Sequence, residues 1–233
     1  MFNHLRIFIK AVLGVVVLFF TFSCSPKTVL NNLPDDINSV VILGNSIVAH
    51  PPKEEIGWFH SWGMAASCEE CDFVHILQDS IKRLNPKADV QWGSIAAFES
   101  DYENYDFNKV EMFRDADLLI VKISENVRYD ADKEKLFIER LDSLLRYLTP
   151  SETTQVVIAE GFWPTPINKW LKDYAQQKGY PHVPIEDLFA SDKRNAAIGL
   201  FANEGVANHP SDYGMKNIAD RIWNVIKGFF TKK

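Results

Sequence analysis

Ser46 and His209 are the two residues whose types and settings in this sequence could do chemistry together. Ser46 follows Val40-Val41-Ile42-Leu43-Gly44-Asn45, four apolar and mostly β-branched residues that run into a turn. Such a run reads as a buried strand of a parallel sheet. Open α/β sheets bind ligands outside the carboxyl ends of their strands, so Ser46 stands where a reacting group is expected. A serine hydroxyl becomes a nucleophile only when a neighbouring base takes its proton. His209, in the loop Gly205-Val206-Ala207-Asn208-His209-Pro210-Ser211, precedes a C-terminal helical stretch. Its imidazole can take a serine proton and return it to a leaving alcohol. Taken alone, a histidine before a helix is ordinarily a cap or a surface residue, so the pairing depends on the elements between.

Those elements alternate. Apolar runs predict further strands over 88–95, 116–123, 154–159 and a short 182–185. Helical periodicity predicts helices over 72–84, 133–148, 167–177 and 212–230. Strands alternating with helices imply right-handed crossovers and a three-layer α-β-α sandwich around a five-stranded parallel sheet. In that fold the segments 96–99, 124–127 and 160–164 all leave strand ends on the same rim as Ser46.

Several further residues have two readings. Trp58, Trp62 and Trp163 lie in loops of that rim, where they either wall a substrate pocket or cover the sheet edge. Glu99 and Glu125 either bind substrate or form a structural pair. Cys68 and Cys71 are spaced for a small local disulfide in an oxidising compartment, with inert thiols as the plainer reading. His75 completes a C-x2-C-x3-H spacing, but a structural zinc needs a fourth ligand that the sequence does not offer, so no metal and no other cofactor is expected.

Gly44-Asn45-Ser46-Ile47, Ser124-Glu125-Asn126 and His209-Pro210, in that order and at those strand positions, resemble the SGNH/GDSL hydrolase superfamily, in a bacterial exported subgroup. The longer strings around residues 43–47, 56–67 and 205–215 carry the same likeness, which covers the chain from about residue 38 onward. The resemblance implies a flavodoxin-like SGNH-hydrolase fold and carboxylic ester hydrolysis through an acyl-enzyme on Ser46 with His209 as base. It implies an oxyanion hole made by the backbone N–H of Ser46, a second backbone N–H at Ala96 or, failing that, Gly93, and the side chain of Asn126. The chain also departs from the pattern. Asn45 replaces the usual Asp of the first block, a mild change because that side chain is not the nucleophile. Ser124 replaces the usual Gly, and Val206 stands where the orienting Asp is expected. Glu204, Asp212 or a main-chain carbonyl is then left to hold His209.

The remaining sequence bounds the setting. Arg6 and Lys10 precede an apolar run from Ala11 to Phe22 that ends at Ser23-Cys24-Ser25-Pro26. A basic start, an apolar core and small residues describe a secretory signal, and the run is short for a membrane span of about 20 residues. Cys24 resembles the lipid-bearing cysteine of bacterial lipoproteins. The expected organisation is a signal over 1–24, a polar and Pro-broken linker over 25–37, and a single hydrolase domain over 38–233. The protein is expected to be exported, as a periplasmic or cell-envelope lipoprotein held to the membrane by an N-terminal lipid or anchor. A net charge of −6 without a basic patch argues against nucleic acid as partner. The expected substrate is a small-molecule or glycan ester, with a short acyl group such as acetyl. The competing expectation, favoured by Val206, is a catalytically degraded glycan-binding or scaffold protein on the same fold.

Overall fold

The structure, a computed structural model, describes residues 37–231. Five strands, β1 (Ser39–Gly44), β2 (Asp89–Ser94), β3 (Leu118–Lys122), β4 (Gln155–Ala159) and β5 (His182–Val183), form one sheet in the order β2-β1-β3-β4-β5. All pairings are parallel. Among the described residues seven α-helices accompany them: α1 (Phe73–Leu84), α2 (Ala96–Ser100), α3 (Glu134–Leu148), α4 (Pro166–Lys178), α5 (Asp187–Ser191), α6 (Glu204–Ala207) and α7 (Asp212–Ile226). This is the three-layer arrangement around a five-stranded parallel sheet that the alternation of strands and helices predicts.

Alternation along the central strands builds two cores. Val40, Ile42, Leu118, Ile120 and Val157 face α1 and α7 through Phe73, Leu77, Ile218 and Ile222. Val41, Leu43, Leu119, Val121 and Ile158 face α3 and α4 through Phe137, Leu141 and Leu171. Successive strand residues point to opposite faces, so a strand covered on both sides must be apolar throughout. All five residues of β3 are buried, Lys122 included. The helix ends carry the residues that the chemistry of capping requires. Asp72 caps α1, Thr165 followed by Pro166 opens α4, Gly179 closes it in the left-handed region (φ 72°), and the Ser211 hydroxyl accepts from Gly214 N–H at the start of α7.

Most boundaries shift by one or two residues, and three of the differences have a local explanation or consequence. β5 pairs over two residues rather than four, because Pro184 has no N–H to donate to the ladder. α7 stops at Ile226 and tightens into a 3-10 turn over Lys227–Phe229. Ile37, expected in the linker, is 3% exposed and packs in the first core. The expected signal, the Cys24 lipid site and the rest of the linker fall on residues 1–36, outside the described residues.

Candidate active site

The end of β1 is shaped to present Ser46. A Cβ at Gly44 would lie 2.4 Å from the Lys122 carbonyl oxygen and 2.6 Å from Val48 Cγ2, so only glycine lets β1 end this close to β3. The chain then turns, with Val48 and Ala49 N–H bonded to Asn45 C=O at 2.9 and 3.1 Å. Asn45 Oδ1 accepts from Ile47 N–H at 3.2 Å, and Met64 N–H ties the Ser46 carbonyl to the next loop at 2.8 Å. Ser46 is left partly exposed on the tip.

His209 comes to it from the other end of the chain. Its Nε2 lies 2.9 Å from Ser46 Oγ, and its Nδ1 lies 2.7 Å from the carbonyl oxygen of Gly205. A carbonyl only accepts, so Nδ1 carries the proton and Nε2 offers its lone pair to the serine hydroxyl. The edge of the Trp163 ring set carries the imidazole from one side, with centroids 5.1 Å apart and planes at 89°. Burial pushes His209 down from 6.5 to about 4, against the Gly205 carbonyl and the Glu125 charge, which push it up. The imidazole is therefore neutral, as a base must be, across the physiological range.

Among the described residues no carboxylate orients His209. Glu204 is exposed in the first turn of α6, and the Asp212 carboxylate accepts from Ser67 N–H and Oγ at 2.8 and 2.6 Å. Of the three groups left open by the sequence, the main-chain carbonyl is the one in contact. The reason lies in packing. Val206 is fully buried with Trp58, Met64, Ala65 and Ala197, so an Asp at that position would put a charge into an apolar cluster.

The expected oxyanion-hole residues separate into two groups. Ala96 begins α2, where backbone N–H groups have no intrahelical partner, and its N–H meets only the Ser94 hydroxyl at 3.4 Å. Ala96 and Asn126 line a cleft of about 300 Å³ with Ser46 and His209. Gly93 does not: it pairs with Leu43 inside the sheet and faces the Phe113 ring, 2.7 Å from where a Cβ would sit.

Beneath the cleft lies a buried polar cluster that holds both Glu99 and Glu125. Asn45, 0% exposed, gives one Nδ2 hydrogen bond to Glu99 Oε1 at 3.2 Å and one to Glu125 Oε2 at 2.6 Å. Glu125 pairs with buried Lys122 and accepts from Phe162 N–H at 2.8 Å. Glu99 accepts from Ser124 N–H at 2.6 Å and from Asn126 Nδ2 at 2.9 Å. The Asn45 exchange is thus not mild. An Asp there would place a third carboxylate against Glu99 and Glu125, whereas the amide supplies a donor to each. Burial, and then the Glu125 charge, raise Glu99 to about 7, while Lys122 holds Glu125 below the usual carboxylate range against its own burial. Neither glutamate lines the cleft.

The aromatic residues also take the structural role. Trp58 is fully buried, its indole N–H on the His50 carbonyl at 3.1 Å, and Trp62 stacks on His60 at 4.1 Å with its N–H on the Ala66 carbonyl. Trp163 donates to the Asn208 carbonyl at 3.1 Å and supports His209. The cleft is instead completed by His50, Ile56, Met64, Asn203 and Gly205. Their one sequence signal is membership of the loops after β1 and before α7. Cys68 and Cys71 are joined in a disulfide beside α1, and His75 Nδ1 is bonded to Asp72 at 2.8 Å.

No protein-family model and no curated protein matches the sequence. Solved structures do match the fold. A two-domain esterase active on acetylated mannans aligns with a TM-score of 0.53 at 17% identity, over 84% of this chain and 50% of its own. TesA aligns with a TM-score of 0.52 at 14% identity, over 82% of this chain and 99% of its own. An acetyl xylan esterase from the rumen bacterium Butyrivibrio proteoclasticus aligns with a TM-score of 0.51 at 12% identity, over 86% of this chain and 66% of its own. The chain spans half the length of the two-domain esterase. At these identities the likeness is one of fold.

Proposed function

We propose that this chain is a serine esterase that hydrolyses a short acyl ester, with a sugar hydroxyl as the alcohol. The observation that carries the reading is the 2.9 Å contact between Ser46 Oγ and a neutral His209 whose tautomer is fixed by Gly205. In the proposed reaction His209 Nε2 takes the Ser46 proton as Oγ bonds to the ester carbonyl carbon. The charge moves to the carbonyl oxygen, held by the N–H groups of Ser46 and Ala96 and the amide of Asn126. Collapse expels the alcohol, which receives the proton from His209. Water then attacks acyl-Ser46 by the same route, releasing the acid and restoring the serine.

Two departures bear on rate. A carbonyl dipole stabilises the imidazolium less than a carboxylate would, which lowers turnover without removing it. Each oxyanion donor is worth roughly 3 kcal/mol of barrier in comparable sites. The substrate class is supported by the small cleft, bounded by Ile56 and Met64, and by neighbours described as acting on acetylated mannans and as an acetyl xylan esterase.

The test compares the purified chain with Ser46→Ala on p-nitrophenyl acetate and on acetylated oligosaccharides, alongside labelling by a fluorophosphonate. Turnover and labelling of the native chain, both lost in S46A, are expected. Turnover that survives S46A would exclude Ser46 as the nucleophile, and a native chain that neither turns over nor reacts with the probe would leave only a binding protein on this fold.

A further inference from the structure

Glu99 touches neither Ser46 nor the cleft, yet it accepts a hydrogen bond from the Asn126 amide. It sits in α2 with 1% of its surface exposed. Its Oε2 accepts from Asn126 Nδ2 at 2.9 Å, and its Oε1 accepts from Ser124 N–H at 2.6 Å and Asn45 Nδ2 at 3.2 Å. An amide has two chemically opposite ends. Against a group with acceptor oxygens only the NH2 end is attractive; the carbonyl end would set oxygen against oxygen. One Asn126 N–H is thereby spent on Glu99, which leaves the second for the cleft that the exposed Asn126 lines. Were the amide reversed, a developing oxyanion would meet an oxygen rather than a donor.

The rest of the cluster keeps Glu99 in that role. The second buried carboxylate, Glu125, is matched by Lys122 and by Phe162 N–H, and Asn45 stands between the two glutamates with one N–H for each. Ser124 holds φ 145°, a value that side-chain-bearing residues rarely adopt. Its N–H is directed at Glu99 and its hydroxyl at Asn168 Oδ1, 2.7 Å away. The turn that carries Asn126 is thus tied to Glu99 at both Ser124 and Asn126.

We infer that Glu99 is a positioning residue of the oxyanion hole, holding the Asn126 side-chain amide with its donor toward the reacting carbonyl. This rests on the esterase reading above. Asn45 adapts the first turn to the same arrangement, since an Asp could not donate to Glu99.

The experiment, run well above 7 so that Glu99 is ionised, is a double-mutant cycle of Glu99→Gln and Asn126→Ala on the full chain, with kcat expressed per site titrated by fluorophosphonate. N126A is expected to lower kcat about 100-fold, the scale for one lost donor. E99Q turns an NH2 toward Asn126, so it is expected to lower kcat at least about tenfold with KM within about twofold, and to add nothing to N126A. Glu99→Asp keeps an acceptor-only group and is expected to recover part of the loss. Losses that multiply in the double variant, or an E99Q kcat per titrated site equal to that of the native chain, overturn the inference. Where E99Q does not fold, the E99D and N126A cycle applies the same criterion. The Asn126 side-chain NH2 resonances, assigned by their loss in N126A, give a readout that needs no substrate. They are expected to shift in E99Q, and an unchanged pair overturns the positioning role even if the chain proves not to be an esterase. A native chain without esterase activity whose Asn126 resonances do shift would instead overturn only the functional reading.

Discussion

At the scale of single residues, protonation decides whether the site works. His209 is faced by Ser46, the Gly205 carbonyl and the Trp163 ring, with the charges of Glu125, Lys122 and His50 further off. Burial lowers it from 6.5 to about 4, so the base form persists as pH falls through 6.5 and is lost only on approach to 4. Glu99 is faced by Glu125, by the Asn45 and Asn126 amides and by Ser124 N–H, and stands raised to about 7. Below that value a proton turns one of its oxygens into a donor. The acid side of the kcat/KM profile is therefore expected to fall in two steps, a partial one near 7 and a full one near 4. In E99Q only the lower step should remain. A single limb at 6.5 in the native chain would contradict both environments. Stability has its own sign here. Between 6.5 and 4 the unfolded chain takes up a proton at His209 that the folded chain refuses, so this residue's contribution falls as pH falls through that window.

At the scale of elements, the site is made where strand ends meet, and steric fit there is tight. Ser124 at φ 145° holds a backbone conformation that favours glycine, and its hydroxyl occupies the space beside Gly161. A Cβ on Gly161 would lie 2.0 Å from Ser124 Oγ and 3.1 Å from Glu125 Cδ. Gly161→Ala is thus expected to destabilise by about 1–3 kcal/mol through overpacking, and to lower activity by moving the Asn126 turn. Adding Ser124→Gly removes the closest clash and frees the backbone, so the double variant should recover part of the lost stability in urea denaturation. A G161A protein as stable as the native chain would mean that the two turns are not packed as described. This junction also marks what the sequence makes legible. The strands could be read because a sheet covered on both faces needs unbroken apolar runs, and Val40–Leu43 and 118–121 are such runs. Ser46 and His209 stood out because hydroxyl and imidazole have one obvious joint use. The helices α2, α5 and α6 escaped because five residues or fewer show no helical period. The role of Glu99 escaped because its partners, Asn45 on one side and Ser124 and Asn126 on the other, come from two separate turns, and no local pattern says which turn tips will touch. Trp58 and Trp62 stayed open between pocket wall and cover for a related reason: a long loop at the rim must build a small core of its own before it can shape a cleft.

At the scale of the whole molecule, one buried polar set joins the carboxyl ends of the strands. Asn45 follows β1, Glu99 lies in α2 after β2, Lys122 ends β3 with Glu125 just beyond it, and Phe162 follows β4. The side chains of Lys122 and Glu125 are 0% and 1% exposed, so neither charge is solvated and each depends on the other. Removing one partner of such a pair is worse than removing both, because the survivor is left as an uncompensated charge. Lys122→Met is therefore expected to destabilise the domain by about 3–5 kcal/mol, the range for breaking a buried pair from one side. Lys122→Met with Glu125→Gln should be more stable than K122M alone, since the amide can still accept from Phe162 N–H without a charge. Urea unfolding of the three proteins measures this, with a common slope as the sign that the unfolded states are comparable. If the single variant matched the double, the pair would contribute no more than its packing volume. The strand ends, and with them Ser46 and Asn126, would then be held in place by the two apolar cores alone.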